Sequence, residues 1–241
     1  MLNLSTTELI LATAAVCLGS VMQAVTGLGA GLVIVPFLAL ISTFLIPGPL
    51  VFASLSLPLT MLWFGRNAVD YRYTSYILIS VGIGTVIAAA FIAKLPVEKL
   101  GIIFGLVILG SVAFSLFAPR FQFNRKGGAL AGLTSGLAGT SSGIGAPFLA
   151  LLYQYHQGPS LRATLAFLYS VSSVCILTSL HFAGRFHVEE VVAGLYLMPG
   201  FLGGYFLSPK LIKWIDKRLA RVAVLSMSSI SALVLIGKSL T

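Results

Sequence analysis

Apolar residues run through this chain in long blocks, and two of the blocks are interrupted where a membrane helix would be expected to continue. The clearer case is 126–155, KGGALAGLTSGLAGTSSGIGAPFLALLYQY, broken in its middle by Gly139-Thr140-Ser141-Ser142-Gly143. The flanking runs, 127–139 and 144–155, would each rise roughly 18–20 Å as helix, against about 30 Å of hydrocarbon. The pattern predicts two half-length helices, forming either a re-entrant hairpin or a discontinuous helix that reaches mid-membrane. Unpaired backbone at that depth is tolerated only where protein buries it or it lines a watery cavity. The break itself therefore points to a binding site.

The first block, 8–26, meets Thr26-Gly27-Leu28-Gly29-Ala30-Gly31 before a second run over 32–46, and Pro47-Gly48-Pro49 marks a turn. Three spans follow, at about 50–65, 76–93 and 100–118; after the second broken segment come spans at about 162–183, 190–208 and a last one ending near Lys238. The order repeats. Pro36 to Leu40 (PFLAL) recurs as Pro147 to Leu151, an offset of 111. Gly65, Arg66, Val69, Leu78, Gly84, Lys94 and Leu100 recur as Gly184, Arg185, Val188, Leu197, Gly203, Lys213 and Leu219, all at an offset of 119. We read one transmembrane domain made of two homologous halves, 1–118 and 119–241.

The charges choose between topologies. If each broken segment returns to the side it entered from, one face collects eleven cations, among them Arg66, Arg72, Arg162, Lys210 and Arg221. The other face keeps four: Lys94, Lys99, Arg185 and Lys238. If each broken segment crosses, the bias disappears. Positive residues belong inside, which favours the hairpins, places both termini outside and orients the halves oppositely. The fold expected is an all-α polytopic membrane protein of two inverted repeats, each a broken or re-entrant glycine-rich segment followed by three transmembrane helices. Matched broken segments in inverted repeats are a mark of secondary transporters.

Composition agrees. The chain is 58% hydrophobic and 9% charged, where soluble domains average about 25% charged residues, and its mean hydropathy is +1.02. The length leaves no room for a soluble catalytic domain. The net charge of +9 lies between apolar runs, so it orients the chain and does not mark a nucleic-acid partner. Cys17 and Cys175 sit inside apolar spans without a CxxC neighbour, implying neither disulfide nor metal. The N-terminus lacks a positive n-region and a cleavage site, so the first run is read as a retained membrane segment.

The candidate binding residues are those of the two breaks. Backbone N–H groups at half-helix N-termini, with nearby hydroxyls, would cradle a small anion. In the first break these are Gln23, Thr26, Gly27, Gly29, Gly31 and Pro36; in the second, Thr140, Ser141, Ser142, Gly143, Gly145 and Pro147. Pro36 and Pro147 suit the first turn of each second half-helix, where a missing N–H is harmless. Close helix packing by small residues is the competing reading of the glycines. Ser54, Ser56, Thr60, Ser170, Ser172 and Ser173 stand on the following spans and could line a path, or bond back to their own helices. All six acidic residues fall in loops or at span ends, so the carboxylate relay that marks a proton-driven pump is missing. His156, His181 and His187 are scattered, and no nucleophile, metal or nucleotide motif stands in a credible context. The reading is a non-enzyme with no cofactor.

The glycine-rich break followed by proline, Gly27 to Gly31 with Pro36 and again Gly136 to Gly145 with Pro147, resembles the sulfite exporter TauE/SafE family of bacterial membrane permeases. The resemblance covers nearly the whole chain, departing where Ala30 interrupts the first glycine cluster and Thr140-Ser141-Ser142 replaces glycine in the second. It implies transport of sulfite, organosulfonates or other small organic anions across the bacterial inner membrane. The expected partners are thus a small anionic solute and membrane lipids, with a homo-oligomer left open. A passive anion channel and a non-transporting membrane scaffold remain the alternatives.

Overall fold

The computed structural model describes residues 5–26, 30–96, 99–117, 123–153, 158–211 and 214–239. Among them there are helices and no strand. The order is α1 (Thr6–Thr26), α2 (Gly31–Ile41), α3 (Gly48–Ser54), α4 (Ser56–Gly65), α5 (Thr74–Ala93), α6 (Leu100–Phe117), α7 (Arg125–Ser142), α8 (Ala146–Leu152), α9 (Pro159–Phe182), α10 (Val188–Leu211) and α11 (Lys217–Lys238). Among the described residues, six stretches are long and apolar enough to cross a membrane: Thr6–Gln23, Thr74–Ala93, Leu100–Phe117, Ser160–Phe182, Val188–Leu211 and Arg218–Gly237. Their outward faces carry Ile79, Ile83, Leu106 and Leu233, all more than half exposed, as suits helices solvated by lipid.

Local chemistry sets the helix ends. Ser5 and Glu8 form a reciprocal capping box, Glu8 N–H donating to Ser5 Oγ and Ser5 N–H to Glu8 Oε2. The Asn124 side chain accepts from Gly127 N–H, and Asp216 from Arg218 and Leu219 N–H. The stretch expected as a span at 50–65 is the pair α3–α4. Its kink at Leu55 follows from Pro58, which offers no N–H to the carbonyl of Ser54.

Two helix pairs pack backbone to backbone. On α7, Gly128, Gly132 and Gly136 form a stripe against α5, where a Cβ on Gly132 would collide with Ile77 O and one on Gly136 with Val81 O. On α10, Gly200 and Gly204 play the same part against α1, facing Thr13 O and Cys17 O. Small residues four apart let membrane helices approach this closely. The contacts advance together along both members of each pair, so α7 runs with α5 and α1 with α10. In contrast α6 and α11 run oppositely: Gly101 meets Leu235 and Ser239, Gly105 meets Ala232, and Arg221 Nη2 donates to Ser115 O at 3.0 Å.

Both broken segments turn back. Gly48, opening α3, lies against Phe186 and Glu190 at the start of α10, so after α2 the chain returns to the end from which α1 set out. Likewise Thr164 of α9 accepts from Asp70 N–H at 2.8 Å, just before α5, at the end where α7 begins.

Three expectations are corrected. The limbs are unequal: α1 has 21 residues and α7 has 18, against 11 in α2 and 7 in α8. The second break is not Gly139 to Gly143, because α7 stays helical through Ser142. Ser142 Oγ bonds back to Ala138 O at 3.1 Å, and only Gly143, at φ 81°, ends the helix in the left-handed conformation. Pro36 lies inside α2, not in its first turn. Its missing N–H strands the carbonyl of Leu32 four residues earlier, and Ser228 Oγ from α11 donates to that oxygen.

Gly136→Leu is expected to destabilise the purified protein by about 3 kcal/mol, because the added side chain meets α5 backbone that cannot move aside. Gly82→Leu, at a position with open space around it, should melt like the parent. Equal melting of the two variants in detergent would contradict this packing.

Candidate functional site

The two breaks meet. A Cβ on Gly31 would come within 3.1 Å of Gly143 O and 3.3 Å of Ile144 Cα, so the first break approaches the second as bare backbone. Beside this junction is a cavity of about 380 Å³. Its floor is made of Ser20 and Gln23 from α1, Ala30 and Gly31, and Gly139, Gly143, Gly145 and Ala146 around the second break. Its walls come from the kink of α3–α4 (Leu50, Ser54, Leu57, Pro58, Met61), from α9 (Arg162, Leu165, Tyr169, Ser172, Ser173, Ile176) and from Phe201 and Tyr205 of α10. The exposed members, Arg162 and Tyr205, lie at one end. At the other, Leu50 and Ile176 are buried.

The loose backbone is held by side chains. Gln23 Oε1 accepts from Ala30 N–H at 2.9 Å, stitching the end of α1 to the start of α2. Ser135 Oγ donates to Gly145 O at 2.9 Å, and Tyr169 OH to Ala146 O at 3.1 Å. Gly145 must be small, since a Cβ there would sit 2.8 Å from Ser135 O. One lining hydroxyl is both fully buried and left over: Ser172 Oγ borders the cavity and has no hydrogen-bond partner among the described residues. A buried donor without a partner costs about 1–3 kcal/mol, and a ligand in the cavity would recover it. Arg162 is the one charged side chain among the described lining residues. No group of three or more metal-ligating side chains occurs among the described residues. Outside the spans, burial and the Asp70 carboxylate push the Tyr153 phenol up to about 12.

Of the residues expected from sequence, Gln23, Gly31, Gly143 and Gly145 border the cavity. Thr140, Ser141 and Ser142 do not. They occupy the last turn of α7, the carbonyl end of a helix, because the helix outlasts them; Thr140 Oγ1 is fully buried and unpartnered among the described residues. Pro147 does open α8, but both prolines are buried away from the cavity. The Thr26 side chain, Gly27 and Gly29 lie outside the described residues. Among the span hydroxyls, Ser54, Ser172 and Ser173 line the cavity; Ser54 bonds back to Val51 O, and Ser56, Thr60 and Ser170, off the lining, also bond back to their own helices. Ser135 and Tyr169 had no linear signal: each acts across a gap, of 10 and 23 residues, that only the fold closes.

Among protein families, the model described as "Sulfite exporter TauE/SafE" matches residues 11–235. Neither a curated protein nor a solved structure matches.

Ser135→Ala and Tyr169→Phe each remove one side-chain bond to a carbonyl of the second break. Each is expected to cost about 0.5–1.5 kcal/mol, read as a lower melting temperature. Unchanged melting in both variants would mean that the break is not held by these bonds.

Proposed function

The chain belongs to the sulfite exporter TauE/SafE family, and from that premise we propose that it is a secondary transporter of small anions, such as sulfite or organosulfonates, in the bacterial inner membrane. The observation that carries this reading is the cavity beside the meeting point of the two breaks, with an unpartnered Ser172 hydroxyl, exposed Arg162 at its mouth and no carboxylate on its described lining. Such a lining favours a negative solute over a cation.

Two inverted repeats, about 1–118 and 119–241, are the architecture we assign. Paired contacts support it. Thr13 Oγ1 donates to Tyr196 O at 3.0 Å, and their counterparts 119 positions away, Gly132 and Ile77, also touch. Cys17 with Gly204 and Gly136 with Thr85 form a second such set. The same offset thus extends from the later spans into α1 and α7, and the shorter offset of the PFLAL sequence confines the length difference to the breaks and the third helix. The opposed directions of α5 and α10 support inversion, and the returning chain after α2 and α8 supports re-entrant hairpins. With positive residues inside, the mouth beside Arg162 faces the cytoplasm, both termini are outside, and the cavity stands open to the cytoplasm. Rocking of one repeat against the other would expose it alternately. The partners of this reading are the anion and the surrounding lipid, without nucleic acid.

Reconstituted in liposomes, the protein is expected to exchange labelled sulfite or propanesulfonate against internal substrate with saturation. Ser172→Ala should weaken apparent binding about tenfold, the usual value of a hydrogen bond to a charged group. Ser170→Ala, whose hydroxyl is already bonded to Ala166 O at 2.8 Å, should not. Flux that rises linearly with concentration would mark a passive channel. No flux of any such anion would leave a membrane scaffold.

A further inference from the structure

At the closed end of the cavity the two halves of the chain are pinned by one guanidinium. Arg185, half-buried between α9 and α10, donates through Nη2 to Leu95 O at 2.6 Å and to Ile92 O at 3.3 Å. Ile92 is in the last turn of α5 and Leu95 lies just past its end; Ile92 O also accepts from Leu95 N–H at 3.1 Å, and a cation is favoured at this end of the helix. The neighbouring Phe186 packs on the apolar cluster of Val51, Ile176, Leu177 and Leu180. That cluster separates Arg185 from the cavity, to which Ile176 contributes.

The opposite end is built from equivalent residues, and no such bond joins the described ones. Arg66 stands 119 positions before Arg185, and Leu211 and Trp214 stand 119 positions after Ile92 and Leu95. Arg66 is exposed and makes no hydrogen bond to another described residue. Ile92 is 2% exposed, whereas Leu211 is 40% and Trp214 is 86% exposed. The cavity's mouth, with Arg162 and Tyr205, is at this end. One chain therefore presents the same device twice, engaged where the cavity is sealed and, among the described residues, disengaged where it is open.

We propose that Arg185 is a latch that holds the outer face shut, and that Arg66 is its counterpart, closing the cytoplasmic face by taking the carbonyls of Leu211 and Trp214 when Arg185 lets go. The inference rests on the alternating-access reading and names what sets the balance between its two states. An arginine suits the task. It remains charged in either state, offers several donors to a helix end, and is readily hydrated at the interface when released. Because the two ends are alike, neither arginine has to be outweighed by a different kind of contact, and the states stay close in free energy.

The test uses the full-length protein in detergent with Cys17 and Cys175 replaced by alanine. Leu180→Cys reports on the sealed end, being fully buried, and Met61→Cys reports on the cavity near its mouth. With Arg185→Ala, modification of Leu180→Cys by a maleimide should accelerate about tenfold and that of Met61→Cys should slow, since hydrogen bonds from a charged donor bias an equilibrium by that order. With Arg66→Ala the remaining slow modification of Leu180→Cys should fall about tenfold. Arg66 makes no bond to another described residue that this variant could remove, so it should fold even if Arg185→Ala does not. Unchanged Leu180→Cys rates in either folded variant overturn the proposal. Counterflow by the unsubstituted protein is measured alongside: if it is present while the rates do not move, the latches fall and transport stands, whereas its absence removes the transport reading itself.

Discussion

A carbonyl oxygen in hydrocarbon must find a donor, and this chain repeatedly creates carbonyls that its own helices cannot serve. Pro36 strands Leu32 O, and Ser228 on another helix takes it. Pro209 strands Tyr205 O, which Ser208 takes at 2.7 Å. Other hydroxyls reach carbonyls across gaps that the helices alone do not close: Thr13 to Tyr196 O, Ser135 to Gly145 O and Tyr169 to Ala146 O. Water would serve these groups in a soluble protein. Here side-chain hydroxyls do so, and each bond that crosses between helices also fixes where those helices lie.

The same economy locates the cavity. The glycine stripes bring α7 onto α5 and α10 onto α1, which aims the two broken ends at one another. Glycine at 31, 143 and 145 lets backbone approach backbone there, with the Ile144 side chain alongside. Most polar atoms near the junction are spent on holding it. Gln23 and Ser135 border the cavity, yet both are occupied by backbone. What remains for a solute is the buried, unspent Ser172 hydroxyl with Ser173 beside it, backbone at the junction and a charged mouth. An anion matches donors of this kind, and membership of an anion-exporter family points the same way.

The asymmetry of the two ends then acquires meaning. The two ends of the cavity are not equally closed. Arg185 is bonded to the end of α5, while Arg66 is free of the end of α10 among the described residues. On the alternating-access reading proposed above, a cavity sealed at one end and open at the other is one of two states, which differ in which helix end holds its arginine.

The sequence by itself determined the class: helical, polytopic, with two broken segments and no acidic relay. Those features follow from hydropathy, glycine and proline, which act within a few residues of where they stand. Tertiary structure decided which hydroxyls face the cavity. Ser170 and Ser172 are two residues apart on α9 and equally buried to the eye, yet one is bonded to Ala166 O and the other is unpartnered at the cavity wall. It also decided that Thr140, Ser141 and Ser142 are the end of a helix and not the beginning of one. A residue's type determines that it can donate a hydrogen bond; whether the bond goes to its own helix, to a stranded carbonyl or to a solute depends on what the fold brings within about 3 Å of it.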